Sequence, residues 1–194
     1  MPAGSSKGSN TSKEELILAG IHEIEQHGVR NLSMRRVATA CGVSCAAPYK
    51  HFADKNDFIL AVIRYINQQW YVLQNGIIEQ YPGDVRRQLV EISLAYIKFL
   101  VENPHFRSIV MLREANMDSE QIRTKAELSS QSKRLIHEYC TLVEMTPDVE
   151  LRKTFVVRSL IYGAALMFDN GELEYTPETM KIVEQAIQRE FDIG

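Results

Sequence analysis

Apolar residues recur at three- and four-residue spacing along this 194-residue chain, and no segment alternates convincingly at the two-residue period of a strand. A chain with that pattern buries its stripes by packing helix on helix, so the expected class is all-α. The first stripe, Leu16, Ile17, Gly20, Ile21 and Ile24, follows Thr11, a candidate N-cap with Glu14 three residues on, and closes at Gly28. Ser33 can cap a second, short helix carrying Met34, Val37, Ala38 and Cys41, which Gly42 stops. Ser44 can cap a third through Tyr49 or Lys50. So little chain lies between these elements that they have the spacing of a helix-turn-helix. Pro48 is awkward there, since it lacks a backbone donor and crowds a regular α-turn. Either the defect falls at the boundary of a short α-helix, or Ser44 to Lys50 is partly a 3₁₀ turn.

Longer stripes follow. Asp54 caps a helix with Phe58, Ile59, Val62, Ile66, Trp70 and Leu73 inward, ending before Tyr81-Pro82-Gly83. A second runs from about Asp84 to Val101 with Leu89, Ile92, Tyr96, Phe99 and Leu100 inward. Asn103-Pro104 opens a short segment reaching about Arg113, and Ser119 to Glu144 carries Leu135, Ile136, Tyr139, Leu142 and Val143 on one face. Thr146-Pro147 and Thr176-Pro177 start the last two helices, which reach Asp169 and Phe191. The expected organisation is a flexible arm over residues 1–10, a three-helix head over 11–55 and an antiparallel helical body over 56–194.

Charge is distributed unevenly between these parts. The whole carries 22 Lys and Arg against 25 Asp and Glu, a net charge of -3. Between positions 30 and 55, however, stand Arg30, Arg35, Arg36, Lys50 and Lys55 against Asp54 alone. Salt screens charge beyond about 8 Å, so this local excess decides polyanion binding and the total does not. No apolar run approaches the roughly 20 residues that span a bilayer. The three cysteines suit a reducing compartment, and a cytoplasmic location is expected. Cys41, Cys45 and His51 lack a fourth good metal ligand, so neither a metal nor a cofactor is expected. The chain shows no compact nucleophile, base and orienting group, and it is not read as an enzyme.

A head of this kind would place particular groups on double-stranded DNA. Arg35, Arg36 and Lys55 can stay outside a small core of Val37, Ala38, Cys41, Val43 and Phe52 and approach phosphates. Ser33 and Ser44 can present helix N-termini to the backbone. On the reading element, Lys50 can donate to guanine, Cys45 and Ala46 can meet a thymine methyl, and Tyr49 can touch the backbone.

The run Ser33-Met-Arg-Arg-Val-Ala38, then Cys41-Gly-Val-Ser-Cys-Ala-Ala-Pro-Tyr-Lys-His-Phe52 and Asp54-Lys-Asn-Asp-Phe58, resembles the DNA-binding signature of the tetracycline-repressor-like family. The resemblance covers residues 11 to 62 and extends to the all-helical length. It implies a supporting helix from Ser33 and Arg35, a turn at Gly42-Val43-Ser44, a reading helix from Cys45 to Lys50, backbone contacts by Tyr49 and Lys55, and a head anchor at Phe52. Pro48 and Lys50 depart from common choices, and Cys45-Ala46-Ala47 offers little polar readout. The family also implies a homodimer joined through roughly 151–168 and 177–191, an approximately palindromic operator, and a small-molecule effector in the body that releases a repressor.

Groups in the body suited to such an effector are Trp70, Tyr96, Phe99, Phe106, Met111, His137, Tyr139, Cys140, Arg158 and Tyr162. Helical spacing favours Trp70, Phe99 and Tyr139 as packing residues, His137 as an ordinary partly exposed histidine and Arg158 as an interface or surface charge. Burial of Arg158 against the aromatics would point to an acidic or hydrogen-bonding effector, and its exposure to an apolar pocket. The competing reading is a non-catalytic helical ligand-binding or scaffold protein without specific DNA binding.

Overall fold

The fold is all-α in a computed structural model, which describes residues 11–111 and 117–192. The arm at residues 1–10 and the end of the short segment near Arg113 lie outside those residues. Helices are α1 Lys13–His27, α2 Met34–Ala40, α3 Lys55–Gln80, α4 Val85–Glu102, α5 Pro104–Val110, α6 Ser119–Ala126, α7 Ser130–Leu142, α8 Pro147–Asp169 and α9 Pro177–Asp192. The described residues divide into two compact units, 11–66 with 105–111 and 117–125, and 67–104 with 126–192.

In the first unit, α1 begins one residue later than the sequence suggests. Ser12 is its cap, with its hydroxyl accepting from the Glu15 N–H while the Glu15 carboxylate accepts from the Ser12 N–H. Ser33 caps α2 by accepting from the Arg36 N–H. The helix ends with the Gly42 N–H donating to Thr39 O and the Val43 N–H to Ala38 O, both at 3.0 Å. That closure needs a left-handed residue at position 42, and Gly42 takes φ 67° without a Cβ penalty. Leu16, Ile21, Ile24, Val37, Ala38, Phe52, Phe58 and Val62 form the buried core of the unit. Cys41 and Val43, expected in that core, are only half-buried.

In the second unit α4 packs against α7, α8 and α9, and α8 packs against α7 and α9. A 3₁₀ turn, Glu127–Ser129, separates α6 from α7 where one helix was expected, and its backbone is used by Trp70, whose indole N–H donates to Leu128 O at 3.2 Å. Two stripe assignments are corrected. Leu73 is 46% exposed whereas its neighbour Gln74 is buried, because Gln74 donates to Ser132 Oγ at 3.1 Å. Leu142 and Val143 are exposed at the end of α7, beyond the contact made by Leu135, Ile136 and Tyr139. Among the described residues no helix is long and apolar enough to cross a membrane.

Candidate nucleic-acid interface

Between α2 and α3 the chain forms a turn and then a 3₁₀ helix, Pro48–Lys50, in place of a full α-helix. The Ala47 N–H donates to Ser44 O at 2.9 Å, and the Phe52 N–H to Pro48 O at 3.0 Å. Pro48 therefore stands at the first position of the 3₁₀ helix, where its missing N–H has no partner to lose. Its ring is buried, as is Phe52, which meets Phe58 edge-on at 4.7 Å. These two anchors hold Ser44, Cys45, Ala46, Tyr49 and Lys50 on the exposed side, with Tyr49 56% exposed. Arg35 is also exposed on α2.

The other expected contact groups are engaged inside the head. The Lys55 ammonium donates to Arg30 O at 2.8 Å, and Ser33 is occupied as the α2 cap. Arg36 Nε donates to Glu23 Oε1 at 2.6 Å, while its Nη2 stands in ion-pair contact with the same oxygen and donates to Asn31 O. Glu23 is a buried carboxylate that the sequence reading passed over. Its signal was present, since an acidic residue three after Gly20 and one before Ile24 lies on the inward face of α1. Burial pushes its carboxyl up, but the Arg36 hydrogen bond and charge, His27 and the Ser33 N–H together bring it below the usual carboxylate range.

In the second unit four of the expected effector groups come together. Trp70 lies 4.6 Å from Tyr96 and 5.5 Å from Phe99 between ring centroids, and Tyr96 lies 6.3 Å from Tyr162. Burial and the neighbouring Tyr162 push the Tyr96 phenol well up. Arg158 is exposed, 5.8 Å from the Tyr162 ring. Tyr139 and Cys140 are buried on α7, with the Tyr139 hydroxyl donating to Phe191 O, and burial pushes both groups up. His137 is exposed and lies 3.0 Å from Glu150. Phe106 belongs to the first unit, where it meets Tyr65 at 6.2 Å, and Met111 is exposed at the end of α5. All three cysteines are free thiols. No group of three or more His, Cys, Asp or Glu among the described residues is arranged to hold a metal.

Residues 16–62 match the family model described as bacterial regulatory proteins, tetR family. An HTH-type transcriptional regulator of Staphylococcus aureus (strain bovine RF122 / ET3-1) is 30% identical over 80 residues, 41% of this chain and 42% of that relative. The match thus spans less than half the length of this curated relative. A TetR family transcription regulator from Marinobacter aquaeolei VT8 has a TM-score of 0.71 at 19% identity, covering 92% of this chain and 94% of that one. The regulator FadR from Bacillus subtilis, solved in complex with stearoyl-CoA, has a TM-score of 0.70 at 12% identity, covering 93% and 97%. At such identities the structural likeness establishes the fold.

Proposed function

The chain belongs to the tetR family of bacterial regulatory proteins, and from that premise we propose that it is a homodimeric, sequence-specific repressor of transcription, acting in the cytoplasm and released from its operator by a small molecule. The observation that carries the reading is the exposed run Ser44, Cys45, Ala46, Tyr49 and Lys50, seated on the head through buried Pro48 and Phe52. Arg35 supplies positive charge beside it. Small apolar side chains, a phenol and an ammonium on one short element suit a major groove, where Lys50 meets guanine and Ala46 a thymine methyl.

Selection of duplexes from a randomised library with the intact chain tests this directly. Tyr49→Ala combined with Lys50→Ala is expected to weaken the selected duplex by about tenfold or more. Unchanged affinity would remove both side chains from the interface, and recovery of no duplex at low salt would favour the scaffold reading.

Dimerisation is proposed through α8 and α9. Leu151, Phe155 and Leu166 recur at helical spacing along α8, and Phe155 is 71% exposed. Ile182 is exposed on α9. Such a stripe is costly to leave in water and suits an isologous two-fold contact. Phe155→Glu is accordingly expected to yield a folded monomer in sedimentation at micromolar concentration. A dimer of undiminished stability would place the contact elsewhere.

The aromatic group Trp70, Tyr96, Phe99 and Tyr162 is the proposed effector region, and the exposure of Arg158 favours an apolar effector over an acidic one. Release of DNA then requires the effector to bind one state of the dimer more tightly than the other.

A further inference from the structure

We propose that Arg36 is a positioning residue that sets α2 for DNA through Glu23, and that Arg35 supplies the phosphate contact from this helix; the proposal rests on the DNA-binding reading above.

A carboxylate taken out of water is costly unless hydrogen bonds and opposite charge compensate it. Glu23 is 7% exposed and has that compensation from one fork. Arg36 Nε donates to Glu23 Oε1, Nη2 is in ion-pair contact with that oxygen, and Nη2 also donates to Asn31 O at 2.6 Å. The Ser33 N–H donates to the same carboxylate oxygen at 3.3 Å, and His27 Nε2 lies 3.6 Å from the other. Asn31 Nδ2 donates back to His27 O at 3.0 Å. A single guanidinium therefore joins the end of α1, the turn Val29–Asn31 and the first turn of α2. Lys55 ties down the same turn from the start of α3 by donating to Arg30 O.

Turning Arg36 to a phosphate would leave Glu23 buried without its cation, which is the costly way to break such a pair. Arg35 has no such obligation. It is exposed on the adjacent position of α2 and meets no carboxylate among the described residues.

Glu23→Gln separates positioning from contact by sign, and Arg36→Lys by loss against retention. If Arg36 touched phosphate, Glu23→Gln would remove a repelling charge and strengthen binding. The positioning role requires the opposite, a loss of about tenfold for a duplex selected with the intact chain. Arg36→Lys keeps the charge, and an ammonium serves a phosphate well, but it lacks the fork that reaches Glu23 and Asn31 together. It is expected to lose affinity to a similar extent with the salt slope unchanged. Arg35→Met should behave differently, its deficit shrinking about 3.5-fold between 50 and 200 mM salt as one phosphate contact is lost.

Stronger binding by Glu23→Gln, or wild-type binding by Arg36→Lys, would overturn the assignment. Should the wild-type chain bind no duplex at 50 mM salt, the DNA reading fails by itself, and amide exchange then judges the lock. Faster exchange at Ser33 and Arg36 in Glu23→Gln supports it, and unchanged exchange sinks it.

Discussion

Phe58→Ala is expected to lower the stability of the head by about 3–5 kcal/mol, because a fully buried ring is removed from a small core. The sharper expectation concerns Gly20, which faces that ring. Gly20 lies within α1, where alanine would ordinarily gain about 1 kcal/mol of helix propensity. Here a Cβ would stand 2.2 Å from Phe58 Cζ and 2.3 Å from Cε1. The ring is 0% exposed and abuts Phe52 edge-on, so it has little room to retreat. Overpacking of this kind costs about 1–3 kcal/mol, more than the propensity gain, so Gly20→Ala should be destabilising on its own. In the Phe58→Ala background the obstruction is gone and the sign should reverse. Urea titrations that follow the head amides by exchange test the cycle. Trp70, the single tryptophan, lies in the other unit and is a poor reporter here. The same sign for Gly20→Ala in both backgrounds would refute the packing argument.

That pairing shows which parts of the structure the sequence could disclose. Gly20 was legible as one member of an apolar stripe, and its neighbours Ile17, Ile21 and Ile24 are indeed buried. The ring that makes glycine necessary there lies on another helix, and no local pattern could reveal it. Helix boundaries were readable because they are set by neighbouring residues, as with the Thr-Pro starts of α8 and α9 and the Asp84 cap, which accepts from the Arg87 N–H. Ser12 displaced Thr11 as the first cap since both occupy chemically equivalent roles one residue apart. Pro48 raised the right question about the reading element, whose turn and 3₁₀ geometry follow from the missing donor.

The charged residues were harder to place, because a long cationic side chain serves a phosphate or a carbonyl equally well. Arg36 and Lys55 are directed to Glu23, Asn31 and Arg30 by tertiary neighbours up to 25 positions away. Periodicity likewise missed the exchange of Leu73 for Gln74, since an amide on the inward face becomes favourable only when Ser132 is opposite to receive it. The aromatics Trp70, Tyr96, Phe99 and Tyr162 were each visible singly, whereas their convergence depends on α3, α4 and α8 meeting.

Lys153 gives the second large effect, and no stripe announced it. It is 0% exposed on α8, and its ammonium donates to Glu190 O near the end of α9. The last carbonyls of a helix lack partners within it and carry partial negative charge, so a buried cation there is doubly suited. The next carbonyl, Phe191 O, accepts from the Tyr139 hydroxyl on α7. The end of α9 is thus fastened to α8 and α7 by one side chain from each. Lys153→Ala removes a packed four-carbon stem and leaves the Glu190 carbonyl without this donor, with an expected loss of about 3–5 kcal/mol. Lys153→Met keeps the packed stem and loses the contacts of the ammonium, so its loss should be smaller, about 1–2 kcal/mol. Trp70 lies in the same unit, and its fluorescence in urea measures both variants. Exchange at the last turn of α9 should quicken in each, because that is where the donor is lost. If Lys153→Ala costs less than about 0.5 kcal/mol, the range of ordinary surface changes, the ammonium does not hold α9 in place.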